Sequence, residues 1–333
     1  MIFLSIIIPH YNLQASLLER CIKSIIEQKM PKESYEIIII DDNSEQPPLW
    51  VEEKFSEAQI TLIQTPHGGP GAARNAGIEK ATGKYIYFVD ADDALIPNSI
   101  TPCLEILHTE QPQILRIKHI TSRNDEIAST RNTPELKTSN IISGAQYMII
   151  EHLSGAPWSY IFERTLAIKH NIRFEPGVYH EDEEFNTKLH YYATSLIDTN
   201  ATVYNYIIRP ESITANSNRE FEDKRIEDFL SLIERLAKFR TEHHSSSNNI
   251  QRRGFDHKLT MLAVDAILNL MYDGRSAQEI HNVCTTRLQP LNLYPLPRAP
   301  YILKYKIFRL LANHKNGLRI LRLFLPRHKP EKK

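Results

Sequence analysis

The chain has 333 residues, more than the usual single domain, and its 41% hydrophobic and 24% charged composition is that of an ordinary globular protein. Forty basic residues balance forty acidic ones, so no global charge argues for nucleic acid. The zero conceals a split: residues 298–333 hold eleven Lys or Arg against Glu331 alone, a net of +10, which leaves −10 on the rest. Cys21, Cys103 and Cys284 are too few and too scattered for a disulfide framework or a zinc spacing, and a reducing cytoplasm is the simple expectation. The start lacks a positive n-region, so no signal peptide is expected. No apolar run approaches membrane-spanning length, so any membrane contact should be peripheral.

Residues 3–8 form a short apolar, β-branched run that predicts a first strand, stopped by Pro9, with His10-Tyr11-Asn12 as the loop at its carboxyl end. Leu17, Leu18, Cys21, Ile22, Ile25 and Ile26 then recur at helical spacing. Residues 36–40 are an unbroken apolar strand, buried on both faces, that ends in Asp41-Asp42-Asn43-Ser44. A shorter strand covers residues 60–63. The breaker cluster His67-Gly68-Gly69-Pro70-Gly71 leads into a helix over residues 72–81. Tyr85-Ile86-Tyr87-Phe88-Val89 reads as a buried strand and ends abruptly in Asp90, Asp92 and Asp93. Strands alternating with helices over the first hundred residues predict a parallel, doubly wound sheet. Three strands thus deliver polar groups at their carboxyl ends, the edge where open α/β sheets bind ligands. Like charges so close resist desolvation unless a cation relieves them, and oxygen-only ligands suit Mg2+ or Mn2+. The plain alternative is a polar turn in which Asp92 or Asp93 caps the next helix.

Ser5-Ile6-Ile7-Ile8-Pro9-His10-Tyr11-Asn12, Ile39-Ile40-Asp41-Asp42-Asn43-Ser44, Gly68-x-x-Gly71-Ala72-Ala73-Arg74-Asn75-x-Gly77 and Asp90-Ala91-Asp92-Asp93 together resemble the signature set of the family 2 glycosyltransferases. The resemblance implies the GT-A fold: a mixed, mostly parallel α/β sheet flanked by helices, here with a helical C-terminal extension. It also implies a nucleotide-activated sugar donor. By that resemblance Pro9, Tyr11, Asn12, Asp42, Gly71, Arg74, Asp90 and Ala91 bind the nucleotide sugar and Asp92 holds the metal ion. Tyr11 can stack on the base, as aromatic faces do on bases. Asp42 can accept from a uracil imide, or serve only the turn. Arg74, in the first turn of its helix, can pair with the phosphates or form a surface salt bridge. The amino end of that helix favours negative charge. No Gly-Lys-Ser/Thr follows the glycines, so this is not a P-loop.

Beyond residue 100, residues 102–107 read as a helix, 113–120 as a strand, 124–140 as a polar loop or hairpin insertion, and 144–153 as a helix. Trp158 stands in a segment resembling the acceptor side of polymer-building family 2 enzymes, as a sugar-stacking wall or a core residue. His180-Glu181-Asp182-Glu183-Glu184-Phe185 fits the family's Glu-Asp-x-x-Phe pattern, which implies Asp182 as the catalytic base with Glu181 as second candidate and His180 beside them. Ordinary macrodipole matching explains the same acidic first turn. Residues 203–209 read as a strand, and Arg209 with Ser212-Ile213-Thr214 resembles the motif that closes the catalytic domain. Arg209 either meets the diphosphate or makes a structural ion pair.

From Glu220 the pattern is helical, with a polar linker over residues 243–249 and further helices over about 250–271 and 277–288. Residues 301–325 interleave apolar and basic side chains, predicting one basic amphipathic helix that lies on an anionic membrane, docks on the acidic body or binds a partner protein. The expected organisation is a catalytic domain over residues 1–215 (a nucleotide-binding half to 100, an acceptor-side half from 101), a helical accessory region over 216–297 and a basic tail over 298–333. The reading is a glycosyltransferase that moves a sugar, with inversion, from a nucleoside diphosphate, UDP first, to a hydroxyl of a glycan or lipid-linked acceptor in cell-surface polysaccharide synthesis. It needs Mn2+ or Mg2+, involves no nucleic acid, and works in the cytoplasm or at the inner face of the membrane. The alternatives are a sugar nucleotidyltransferase, which would need a different glycine-rich start with a nearby lysine, and a non-catalytic sugar-nucleotide-binding scaffold.

Overall fold

The computed structural model describes residues 2–123, 135–151, 153–209, 218–298 and 303–324. Two compact units emerge: Met1–Tyr147 with Leu153–Ala215, and Met148–His152 with Asn216–Lys333.

In the first unit the strands are β1 (Leu4–His10), β2 (Tyr35–Asp41), β3 (Ile60–Gln64), β4 (Tyr85–Phe88), β5 (Ala94–Leu95), β6 (Ile114–Arg123), β7 (Tyr160–Glu163) and β8 (Leu196–Ile208). The helices are α1 (Ala15–Ile26), α2 (Trp50–Lys54), α3 (Gly69–Lys80), α4 (Thr101–Thr109), the first part of α5 (Gly144–Ile150, whose residues from Met148 belong to the second unit), α6 (Arg164–Lys169) and α7 (Glu181–Tyr192). One eight-stranded sheet runs β3-β2-β1-β4-β7-β6-β8-β5. β3, β2, β1 and β4 are parallel, whereas β7 lies antiparallel to both β4 and β6. This is the expected mixed, mostly parallel α/β sheet. β1, β2 and β4 are buried on both faces, as the unbroken Ile37-Ile38-Ile39-Ile40 run requires, while the edge strand β3 is partly exposed.

Several boundaries differ from expectation, each for a local reason. Pro9 does not stop β1: it pairs in register with Ile40. Pairing of β1 with β4 ends at Ile7, opposite Phe88, so the absent N–H of Pro9 breaks no ladder on that side. β8 begins at Leu196 rather than residue 203, because Asp198 in its polar first half is paired by Arg116 and Lys118 of β6. Of the expected 124–140 insertion, residues 124–134 lie outside the described residues; Thr138 and Ile142 bridge to β8.

α3 starts three residues earlier than expected. Gly68 and Gly69 N–H donate to the Asp42 carboxylate, and Pro70 stands in the first turn, where it has no N–H to lose. The same helix lies tightly on β1: a Cβ at Gly77 would stand 2.3 Å from Ile7 Cγ2.

In the second unit α8 (Arg219–His243) and α9 (Asn249–Tyr272) are joined by a turn that Asn248 closes with a reciprocal capping box to Gln251. α10 (Ala277–Val283) carries a like box between Ser276 and Glu279. The basic tail holds two helices, α11 (Leu303–Ala312) and α12 (Lys315–Phe324), not the single one expected. The break falls at Asn313, whose side chain exchanges bonds with Leu296 N–H and C=O.

Gly77→Ala should cost about 1–2 kcal/mol of unfolding free energy, because an overpacking penalty of about 2–3 kcal/mol outweighs the helix-propensity gain of about 1 kcal/mol. The test is the urea midpoint at unchanged slope. A midpoint at or above wild type would mean that α3 and β1 do not press on one another.

Candidate active site at the carboxyl edge of the sheet

The ends of β1, β2 and β4 carry the expected polar groups to one rim. At the β2 end Asp41 and Asp42 are both buried, with different duties. Asp41 accepts from the His10 Nδ1 side at 2.9 Å and from Ser44 N–H at 3.3 Å, and these bonds, set against burial, leave its pKa lowered. Asp42 accepts from Gly68 N–H and Gly69 N–H at 2.8 Å each, and His67 Nδ1 lies 2.9 Å from it. The negative charge favoured at the amino end of α3 is therefore supplied by the chain itself. Tyr11 remains 49% exposed and stacks on the His67 ring at 4.5 Å. Asn12 ties its loop to the β2 loop, donating N–H to Ser44 Oγ and accepting from Glu45 N–H, both at 2.8 Å.

Arg74 is the junction. Its guanidinium donates to Asp90 Oδ1 at 2.9 Å and to Glu181 Oε1 at 2.9 Å. Asp90 follows β4 and Glu181 opens α7, so one buried cation joins the sheet edge to the helix that carries Asp182. Burial works against the guanidinium charge, but Asp90, Glu181 and Asp182 hold its pKa above the ordinary value. Gly71, one turn earlier on α3, lets α7 approach: a Cβ there would lie 3.0 Å from Glu181 Cγ and 3.1 Å from Phe174 Cβ. Asn75 secures the contact by exchanging bonds with Phe174, N–H and C=O, at 2.9 and 2.8 Å.

The three carboxylates after β4 separate by role. Asp90 is partly buried, and burial raises its pKa despite Arg74. Ala91 is buried between its neighbours. Asp92 is partly exposed and pairs with Arg209 at the end of β8, while Arg20 of α1 donates to its backbone carbonyl at 2.5 Å. Asp93 does not cap the next helix, the plain alternative for this turn; the N-cap of α4 is Ile100. Asp93 is buried and accepts from Tyr204 Oη–H at 2.6 Å and Ile207 N–H at 2.8 Å. Burial, then the charges of Asp90 and Asp92, push its pKa up to about 8. Tyr204 in turn stacks flat on Trp158 at 4.4 Å. Trp158 is buried, on the core side of the two roles open to it.

On α7, Glu181 is buried against Arg74 and Asp182 is partly exposed. Burial first, then the charges of Glu181 and Glu183, push the Asp182 pKa up to about 8. Its Oδ1 accepts from Glu183 N–H at 2.8 Å. His180 precedes the helix in a left-handed conformation, φ +67°. Arg209 meets Asp92; Ser212-Ile213-Thr214 lie outside the described residues. The sequence reading gave no role to His10, Arg20, Asn75 or Tyr204. His10 and Asn75 stood inside the family motifs, whereas nothing local marked Arg20 or Tyr204.

The family model for glycosyl transferase family 2 matches residues 5–173, half of the chain. The chain belongs to this family. The enzyme is 27% identical over 247 residues to the uncharacterized glycosyltransferase YibD of Escherichia coli K12, covering 70% of each chain. It is 29% identical over 117 residues to the poly(ribitol-phosphate) beta-N-acetylglucosaminyltransferase TarS of Staphylococcus aureus, covering 34% of this chain and 20% of that one. The structure of TarS residues 1–349 in complex with UDP-GlcNAc superposes with a TM-score of 0.60 at 18% identity, over 87% of this chain and 89% of that one. The fold of this glycosyltransferase is thus the GT-A-like fold of TarS.

Tyr204→Phe deletes one of the two donors to buried Asp93 and keeps the ring on Trp158. It should lower unfolding free energy by about 1–3 kcal/mol while the near-UV circular dichroism of the aromatic stack persists. No loss of stability would mean that Tyr204 does not hold Asp93.

Proposed function

We propose that this family 2 enzyme transfers a sugar from a nucleoside diphosphate, with UDP as the nucleotide, to a hydroxyl of a cell-surface glycan or lipid-linked acceptor, with inversion at the anomeric carbon. The observation that carries the reading is the Arg74 bridge, which sets Asp90 and Glu181 on one cation and Asp182 within its field. The resemblance to TarS in complex with UDP-GlcNAc supports UDP as the nucleotide.

Tyr11 offers its free face to the uracil ring. Asp42 fixes the Gly68-Gly69 turn, and its remaining acceptor capacity meets the base. The residues suit a divalent cation that is completed by substrate. Among the described residues no group of three or more His, Cys, Asp or Glu stands ready to hold a metal ion. Asp92 with Asp90, plus two phosphates, is nevertheless an all-oxygen set of the kind Mg2+ or Mn2+ accepts. When bound, the ion supplies positive charge to the departing diphosphate. Arg209, which pairs with Asp92 here, would offer its guanidinium to that diphosphate.

Asp182 removes the proton of the attacking hydroxyl. A carboxyl whose pKa lies near 8 is a stronger base than an ordinary aspartate, and it works only once deprotonated. Turnover should therefore rise with pH through neutrality towards about 8 and lose that rise in Asp182→Asn. Glu181, held by Arg74, keeps α7 in place.

The test is a panel of nucleoside diphosphate sugars with Mn2+ or Mg2+. UDP-sugars should raise the melting temperature, and a chelator should remove most of the shift. Asp182→Asn should keep the shift and lower kcat by about 10²–10⁴. Transfer that survives this substitution unchanged would remove the mechanism.

A further inference from the structure

We propose that α11 and α12 form an amphipathic platform that lies on an anionic lipid surface. Helices that serve only the fold bury one apolar face. These two carry apolar residues on two. Phe308, Ala312 and Leu318 are buried. A separate stripe of α11 stays exposed: Leu303, Ile307 and Leu310, at positions i, i+4 and i+7. α12 repeats the arrangement with Ile320, Leu323 and Phe324, the last two 81% exposed. Six large apolar side chains on one helix pair exceed the single scattered exposures normal on a soluble surface.

Charge selects the occupant. Neither helix contains an Asp or Glu, and Lys306 and Arg319 are exposed beside the stripes. Residues 298–333 as a whole carry +10. A second copy of this chain would bring a like-charged face against the first and be repelled. A bilayer with acidic headgroups offers both an apolar interior for the stripes and negative charge for the basic residues. No helix among the described residues is long and apolar enough to cross a membrane, so the contact is one of lying on the surface. Attachment does not depend on which sugar is transferred.

The experiment is sedimentation of the full chain with vesicles of phosphatidylcholine alone and with roughly 30% phosphatidylglycerol, in about 0.1 M salt. Binding to the anionic vesicles should be at least about tenfold stronger and should weaken at about 1 M salt. Leu310→Asn with Leu323→Asn leaves the charge unchanged, and Lys306→Glu with Arg319→Glu leaves the apolar stripes. Each pair should reduce binding about tenfold or more at unchanged circular dichroism. Binding that ignores lipid charge, that survives both pairs of substitutions, or that fails altogether would overturn the proposal. So would self-association through this face, or retention on nucleic acid or an acidic polypeptide without vesicle binding.

Discussion

A guanidinium held between two carboxylates is the contact on which the first unit depends. Arg74 takes Asp90 from the sheet edge and Glu181 from the start of α7, residues 91 apart in sequence, onto one buried cation. Burying a carboxylate is costly, and several close together more so. Arg74 offsets much of that cost for both partners and fixes where α7 lies. Gly71 and Asn75 on the same helix supply the space and the backbone bonds that make the approach feasible. Asp182 inherits its surroundings from this arrangement: burial and the charges of Glu181 and Glu183 raise its pKa, and Arg74 offsets only part of that rise.

A second clamp acts from the far side. β8 passes the β4 turn and donates Tyr204 Oη–H and Ile207 N–H to Asp93, then places Arg209 on Asp92. Four consecutive residues thus split their work. Asp90 belongs to Arg74, Ala91 fills the core, Asp92 pairs with Arg209, and Asp93 is locked into the fold. Asp90 and Asp92 keep partial exposure beside their arginines, whereas Asp93 is buried and bonded within the fold.

Much of this was legible before any coordinates. Strand runs ending in Tyr11-Asn12, Asp41-Asp42 and Asp90-Ala91-Asp92 give the rim, because apolar periodicity and abrupt polarity are local signals. Partners are not local. Nothing in the sequence says that Arg74 meets Glu181 rather than a phosphate, that Asp42 caps α3, or that Arg20 reaches Asp92 O, since topology alone brings those groups together. Pro9 departs from expectation for the same reason: whether a proline ends a strand depends on which neighbour its missing N–H would have faced. The tail read correctly as basic and amphipathic, but its break at Asn313 depends on a contact with Leu296 that no periodicity reveals.

The most direct measurement of the central contact is a pair of double-mutant cycles, Arg74→Met with Glu181→Gln and Arg74→Met with Asp90→Asn, read by urea unfolding and by donor affinity. Coupling of about 1–3 kcal/mol in both cycles, of the same sign, is what a shared guanidinium requires. Additive effects within about 0.5 kcal/mol would contradict it and would separate α7 from the sheet edge as independent parts.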